Sequence, residues 1–176
     1  GISTLLGASL ANRKKLYFGI IGDLAFFYDM NALGNRHVGK NLRLLLINNG
    51  KGTEFRQYNH FAAHFGDHAD KFIAAAGHYA NKSKHLVKHY AEDLGFEYYS
   101  ATNKEEFEIS YKALVDPKIG ERPVFFEVFT DSGEESKALE VMRNIKGDGK
   151  KRAKGLVRKV IGDKTVNTLK TFLNDK

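Results

Sequence analysis

The sequence predicts an α/β domain in which a parallel sheet carries helices on both faces. Residues 16–21 and 42–47 are two short, almost uniformly apolar runs that end in turn-forming residues, a pattern typical of strands buried on both faces. Residues 96–100 and 123–129 are rich in aromatic and β-branched residues, as strands are. Segments with helical periodicity lie between these runs, and strands that alternate with helices favour a parallel sheet.

Four helices are predicted from apolar residues that recur on one face or from cap residues at the helix ends. They cover residues 23–38, 83–94, 103–114 and 134–145. Gly95 is expected to end the second helix, because glycine readily takes the left-handed conformation that is common after a helix. Thr102 is the expected N-cap of the third helix, where Glu105 and Glu106 in the first turn interact favourably with the helix dipole.

The composition is that of a globular protein of one domain. The chain has 176 residues, enough for a core of ordinary size, and 42% of them are apolar and 28% charged. No apolar run approaches the roughly 20 residues of a membrane span. The absence of cysteine excludes disulfides and thiolate metal sites and agrees with a cytoplasmic location. The first residues, GISTLLGASL, lack an initiator methionine and a basic region, so we expect a cut made inside a longer polypeptide.

The net charge of +7 belongs to the C-terminal tail, residues 143–176. This tail holds 11 basic and 3 acidic residues, whereas residues 1–142 hold 17 basic and 18 acidic residues. The main body therefore has no broad basic surface that could follow a nucleic-acid backbone. We expect a domain of residues 1–142 followed by a separate basic extension of residues 143–176.

The extension is predicted to consist of one or two basic amphipathic helices after a linker. The linker contains GDGKK, residues 147–151, which follows no predicted strand. Apolar residues recur at helical spacing from Ala153 onward, but the tail has no tryptophan and a single phenylalanine. Because aromatic residues anchor helices at a membrane surface, packing against protein is favoured over contact with anionic lipid.

Small oxygen-bearing residues follow the first two predicted strands. Gly22 and Asp23 end the first apolar run, and Asn48 and Asn49 end the second. Each pair alone is a common turn former. In parallel sheets, however, ligands bind at the carboxyl ends of the strands, and neighbouring strands would bring the two pairs together. Mg²⁺ accepts carboxylate and amide oxygens beside phosphate, so the two turns are also candidate halves of one magnesium site.

The two pairs and their surroundings resemble the cofactor motif of thiamine diphosphate-dependent enzymes, in which Gly-Asp-Gly is followed at some distance by Asn-Asn. Within this superfamily, GDLAFFYDMNAL and INNGKGTEF are most similar to the menaquinone-pathway synthases that make 2-succinyl-5-enolpyruvyl-6-hydroxy-3-cyclohexene-1-carboxylate. The resemblance covers residues 3–132. It implies the diphosphate-binding module of such an enzyme, with thiamine diphosphate and Mg²⁺ as cofactors.

The resemblance also implies roles for single residues. Asp23 and Asn49 match the metal-ligand aspartate and asparagine, and Lys51 lies where a main-chain carbonyl binds the metal. The other residues implied to contact the cofactor are Gly22, Leu24, Ala25, Thr53 and Phe55. Leu24 replaces the third glycine of the general motif, as it does in the menaquinone-pathway synthases. Glu54 stands where those synthases carry an apolar residue, so it is a candidate catalytic residue and leaves the substrate identity open.

The implied activity is decarboxylation of a 2-oxo acid, followed by transfer of the product to an acceptor or by its protonation. No stretch of the chain resembles the family's pyrimidine-binding module. We therefore expect that module to come from elsewhere, across a homodimer interface, and the fragment alone to be inactive. Two alternatives stay open, a simple 2-oxo acid decarboxylase of the same superfamily and a non-catalytic scaffold that keeps the fold.

Three histidines spaced four residues apart, His60, His64 and His68, form a further candidate site. Such residues can bind zinc when they share one helical face. Gly66 interrupts this helix and no glutamate lies between the histidines, so a solvated face is the favoured interpretation. The resemblance places this segment after the metal loop, where one histidine could contact substrate.

Overall fold

The computed structural model describes residues 1–71 and 83–145. The chain divides into two compact units, Gly1–Ser136 and Lys137–Lys176, and the sheet belongs to the first. The strands are β1 (Tyr17–Gly22), β2 (Leu42–Asn48), β3 (Glu97–Ala101) and β4 (Val124–Phe129). The α-helices are α1 (Ile2–Ala11), α2 (Asp23–Asp29), α3 (Leu86–Asp93), α4 (Lys104–Val115) and α5 (Ser132–Ile145). The predicted linker at 147–151 and the predicted tail helices lie outside the described residues.

The four strands form one parallel sheet in the order β1-β2-β4-β3. Each predicted strand is present, and its bounds differ from the prediction by at most one residue. Gly22 at the end of β1 lies beside Ile47, and Asn48 at the end of β2 lies beside Phe129. The carboxyl ends of β1, β2 and β4 are therefore neighbours, and the predicted parallel α/β fold is confirmed.

The sheet is covered by apolar side chains on both faces, since successive strand residues point to opposite sides. On one face Leu42, Leu44 and Leu46 of β2 pack with buried residues from α1, α2 and α3. On the other face Phe126 of β4 packs with Leu114 of α4. β2 and β4 are largely buried, which explains their apolar runs. β1 was expected to be buried on both faces, but it alternates, with Phe18 51% and Ile20 75% exposed, because among the described residues it is an edge strand that is covered on one face.

Two helix boundaries differ from the predictions by three residues or more. The helix predicted for 23–38 ends as α2 at Asp29 and continues only as a 3₁₀ helix, Met30–Gly34. Apolar periodicity runs through both segments, but residues 31–35, NALGN, hold glycine and asparagine, which are poor helix formers. Helix α3 begins at Leu86 rather than at 83, because Ser83 and Lys84 form a turn before it.

The cap of α4 is Asn103 and not the predicted Thr102. The Asn103 side-chain oxygen accepts a hydrogen bond from the backbone N–H of Glu106 at 2.9 Å. The Thr102 hydroxyl instead donates to the Glu106 carboxylate at 2.8 Å. Both residues have cap chemistry, and the extended backbone of Asn103 brings its side chain to the first turn.

Gly95 follows α3 in the left-handed conformation, with φ +84°, as predicted. Replacing Gly95 by alanine should lower the free energy of unfolding by about 1–2 kcal/mol, because a Cβ atom in this conformation crowds its own backbone. No other atom lies within 4 Å of the added Cβ, so the backbone alone would cause the loss.

Gly120→Ala is the matched control for Gly95→Ala. Gly120 also has open space around its Cβ position but does not adopt a left-handed φ. We expect its replacement to be neutral or slightly stabilising, since alanine restricts the unfolded chain. Urea unfolding measures both variants, and equal effects of the two substitutions would contradict the role given to Gly95.

Candidate functional site

A cavity of about 380 Å³ opens at the carboxyl ends of β1 and β2. Its walls come from the turns that follow these two strands and from the first turn of α5. All residues that the resemblance assigned to cofactor, metal or catalysis lie around it: Gly22, Asp23, Leu24, Ala25, Asn49, Lys51, Thr53, Glu54 and Phe55. Ile47, Gly52 and Glu135 complete the lining.

Asp23 joins the two turns. It is the first residue of α2, and its side chain lies in the wall with the residue only 1% exposed. One carboxylate oxygen accepts the backbone N–H of Gly50 at 2.6 Å, and the other accepts that of Leu24 at 2.9 Å. Gly50 has φ +74°, a conformation that glycine takes without strain. The Asp23 carboxylate thus holds the turn after β2 against the end of β1.

Asn49 is fixed by hydrogen bonds at both ends of its carboxamide. Its Nδ2 group donates to the Glu135 carboxylate at 2.9 Å and to the Thr53 hydroxyl. Its Oδ1 atom accepts the backbone N–H of Lys51 at 2.9 Å. The amide therefore has a defined orientation inside the cavity wall.

A 3₁₀ helix, Thr53–Arg56, contributes three lining residues to the cavity, Thr53, Glu54 and Phe55. Glu54 is exposed, whereas Phe55 is half-buried and packs edge-on against the His60 ring at 5.5 Å between centroids. This wall therefore holds one solvent-accessible carboxylate and one aromatic ring.

The three spaced histidines do not form a metal site in the part of the chain that the structure describes. The segment Phe61–Lys71 is a 3₁₀ helix broken at Gly66, whose φ of +52° and ψ of −137° are not helical. Among residues 1–71 and 83–145, no cluster of three or more His, Cys, Asp or Glu side chains could hold an ion. His64 and His68 are exposed, as a solvated face requires.

A buried polar network beside the cavity was not anticipated from the sequence. Asn48 Nδ2 donates to the Glu127 carboxylate at 2.7 Å, and the Tyr98 hydroxyl donates to its other oxygen at 2.6 Å. Asn48 and Glu127 are each 1% exposed. The Asn48 Oδ1 atom is buried and has no hydrogen-bond partner among the described residues.

Burial raises the pKa of Glu127 above 4.5, the value of an ordinary glutamate, and the nearby charge of Asp23 adds to the rise. The hydrogen bonds from Tyr98 and Asn48 favour the charged form and offset part of this effect. Burial, together with the bond to Glu127, also raises the pKa of Tyr98 far above its usual range, so its hydroxyl stays a donor.

Glu135 is a further residue beside the cavity that the sequence analysis missed. It lies in the first turn of α5, directly after β4, and lines the cavity. The sequence contains a pattern that could have indicated Glu135. The run of β4 is followed by the turn-forming residues Asp131-Ser132-Gly133 and then by two glutamates. Only the strand order brings this turn beside Asn49.

Curated relatives match most of the chain. The protein named 2-succinyl-5-enolpyruvyl-6-hydroxy-3-cyclohexene-1-carboxylate synthase from Bacteroides fragilis is 37% identical over 139 residues, which are 79% of this chain and 23% of that protein. The proteins of the same name from Bacteroides thetaiotaomicron and Phocaeicola vulgatus are 38% identical over 139 and 138 residues, and the chain covers 23% of each. Most of this chain is therefore similar to one part of these synthases.

The resemblance drawn from the two motif pairs, to a synthase family of thiamine diphosphate-dependent enzymes, is thus confirmed. The chain spans about a quarter of the length of these synthases, 23% of each. No protein-family model matches it. Among residues 1–71 and 83–145, no helix combines the length and the apolar character needed to cross a bilayer.

Glu127 should make the stability of the protein depend on pH. Because the pKa of Glu127 is raised by folding, the folded protein binds this proton more tightly than the unfolded chain. The free energy of unfolding should therefore fall as pH rises from about 4.5 through the raised pKa. Glu127→Gln should flatten this fall, which urea unfolding between pH 4 and about 8 in chelator would measure.

Glu121→Gln is the control for Glu127→Gln. The Glu121 side chain is 94% exposed and makes only a surface ion pair with Lys40 at 3.7 Å. Its profile against pH should run parallel to that of the parent protein, since exposed pairs contribute little. A Glu127→Gln profile that also runs parallel to the parent would show that burial does not disfavour the Glu127 charge.

Proposed function

We propose that this chain supplies the diphosphate- and metal-binding part of a thiamine diphosphate-dependent enzyme that decarboxylates a 2-oxo acid and transfers the product to an acceptor, as in its synthase relatives. One observation carries the proposal. Asp23, directly after β1, accepts a hydrogen bond from Gly50, which lies 27 positions later in the turn after β2. The two turns line a single cavity, and every residue that the resemblance assigns to the site lies in its wall. Within this proposal, residues 1–142 are the module and residues 143–176 an extension.

The donor atoms suit Mg²⁺. Asp23 offers a carboxylate, Asn49 an amide oxygen and Lys51 a main-chain carbonyl, all hard oxygen ligands of the kind this ion binds together with phosphate. A carboxylate has about four acceptor positions, so the bonds from Gly50 and Leu24 are compatible with a cation on Asp23. A cation would also offset the repulsion between the buried charges of Asp23 and Glu127.

The charges around the cavity explain why a cation would be needed. Three lining side chains are carboxylates, Asp23, Glu54 and Glu135, and Lys51 is the one ammonium among the lining residues. A diphosphate would meet net negative charge in this cavity. A divalent ion held by Asp23 and Asn49 would offset this negative charge and let the diphosphate bind through it.

The protein's contribution to the reaction is binding and orientation. When bound, thiamine diphosphate supplies the carbanion chemistry by which 2-oxo acids lose carbon dioxide. Gly22, Leu24 and Ala25 form the wall beside the diphosphate position, and Thr53 and Phe55 form another part of the wall. Glu54, exposed in the same part, is the residue that can hold or move a proton near the substrate.

The rest of the active site is proposed to come from outside this chain. The family's pyrimidine-binding module would complete the site across a homodimer interface, with a 2-oxo acid and an acceptor as substrates. This proposal accords with the coverage, since the chain corresponds to 23% of each relative's length.

Asp23→Ala and Asn49→Ala should each abolish Mg²⁺-dependent binding of thiamine diphosphate to the full-length protein. Each removes one of the two side-chain ligands, and Asp23→Ala also removes the hydrogen bond that joins the two turns. Isothermal titration with the cofactor, with and without Mg²⁺, measures the loss, and circular dichroism checks that the variants fold. Asp93→Ala, at the exposed end of α3, is the control and should bind normally. Unchanged affinity in both site variants would refute the assignment.

Glu54→Gln should keep cofactor affinity and lower turnover. None of the hydrogen bonds described above for Asp23 and Asn49 involves Glu54, so removal of the Glu54 charge leaves these proposed metal ligands in place. Loss of a proton-transferring group typically costs a factor of about 10²–10⁴ in rate. Steady-state kinetics and cofactor titration of the full-length enzyme separate the two effects, with Glu121→Gln as the control. Full turnover in Glu54→Gln would remove Glu54 from catalysis.

A further inference from the structure

The metal affinity of an asparagine depends on which way its side-chain amide is turned. The oxygen can bind a cation, whereas the NH₂ group is a donor and repels one. An asparagine that serves as a metal ligand therefore needs partners that hold its NH₂ group on the side away from the ion. In this chain the question concerns Asn49.

Two acceptors hold the NH₂ group of Asn49. Its Nδ2 atom lies 2.9 Å from Glu135 Oε2 and also donates to the Thr53 hydroxyl. The other terminal atom of the Asn49 amide is the oxygen, Oδ1, because it accepts a hydrogen bond from the backbone N–H of Lys51 at 2.9 Å. Of the two acceptors, Glu135 carries a full charge, and hydrogen bonds to a charged group are the stronger kind.

Glu135 is itself held in place. The Thr130 hydroxyl donates to its other oxygen, Oε1. The turn before it is fixed by Asp131, whose carboxylate accepts the backbone N–H groups of Gly133 at 2.9 Å and Glu134 at 3.0 Å. The backbone N–H of Glu135 donates to the Asp131 carbonyl at 3.0 Å. The start of α5 thus presents the Glu135 carboxylate to Asn49 in one position.

We propose that Glu135 is a positioning residue that turns the Asn49 side-chain oxygen toward the divalent cation. The proposal rests on the proposed function, because it needs a cation at Asp23 and Asn49. Glu135 acts through Asn49 and not as a ligand of the ion. A carboxylate secures this orientation, since both of its oxygens only accept, one from Thr130 and one from Asn49.

A glutamine at this position would hold the Asn49 amide less strictly in one orientation. Its NH₂ group can face either the Thr130 hydroxyl, which can also accept, or Asn49, and in the second case it donates to Asn49 Oδ1 and directs Asn49 Nδ2 toward the ion. The shape of the side chain is preserved, so the change tests the direction of the hydrogen bond and leaves packing nearly unaltered. Loss of a partner of a metal ligand typically weakens metal binding by about 10–100-fold.

The test measures binding of Mn²⁺, as a spectroscopic substitute for Mg²⁺, to the full-length protein by electron paramagnetic resonance of the free ion. Glu135→Gln should weaken Mn²⁺ binding by about 10–100-fold, while the melting temperature in chelator stays close to that of the parent. Glu134→Gln is the matched control, because Glu134 lies in the same turn, is exposed and does not line the cavity. It removes the same charge from the same helix end and should leave the affinity unchanged.

Different results point to different failures. If the parent protein binds no Mn²⁺, the proposed function itself is wrong. If the parent binds and Glu135→Gln binds equally well, or if Glu134→Gln loses as much affinity, the positioning role is overturned and the metal site stands. If Glu135→Gln does not fold, Thr130→Val replaces it, since it removes only the donor to Oε1. That variant should lose Mn²⁺ affinity several-fold, and an unchanged affinity would overturn the inference.

Discussion

The hydrogen bond from the Gly50 amide to the Asp23 carboxylate is the contact on which the candidate site depends. It is buried and short, 2.6 Å, and it ties the turn after β2 to the end of β1. The parallel register makes it possible, because Gly22 lies beside Ile47 and the two strands end at the same level. The left-handed Gly50 then directs its N–H back toward β1. Because this hydrogen bond fixes Gly50, it also determines where the residues that follow, 51–55, lie around the cavity.

The buried polar groups around the join are costly for the fold. Asp23 and Glu127, each 1% exposed, lie close enough for the charge of one to raise the pKa of the other. A well-packed apolar pair at these two positions would give a larger free energy of unfolding, because buried charges lose their hydration. Asn48 adds a buried oxygen without a partner among the described residues. This cost is concentrated at the carboxyl edge of the sheet, where open α/β folds bind their ligands.

Much of the fold could be predicted because its strands stand out as apolar or aromatic runs, and the central strands β2 and β4 are largely buried. The helix ends were harder. Periodicity continues from α2 into the 3₁₀ helix Met30–Gly34, so the pattern alone does not show where α2 stops. Thr102 and Asn103 have equivalent cap chemistry, and only the backbone conformation decides between them.

The site could be predicted where its residues are close in sequence and not where they depend on strand order. Asp23 and Asn49 follow consecutive strands, and turn chemistry at both ends marks them. Glu127 looks like one charge in an apolar run, and its partner Asn48 is 79 positions away. Glu135 reaches Asn49 across 86 positions. Both contacts need β4 to lie next to β2, an order that a single sequence does not reveal.

That strand order also has a consequence for synthesis of the chain. The ribosome completes both turns, with Asp23 and Asn49, long before β4 and α5 emerge, and β4 must then enter between β2 and β3. Pairings so distant along the chain form late, after the local β1–β2 pair. A nascent chain would therefore carry Asp23 and Asn49, the proposed cation ligands, before the carboxylates of Glu127 and Glu135. The proposed cation site would thus be completed only at the end of folding.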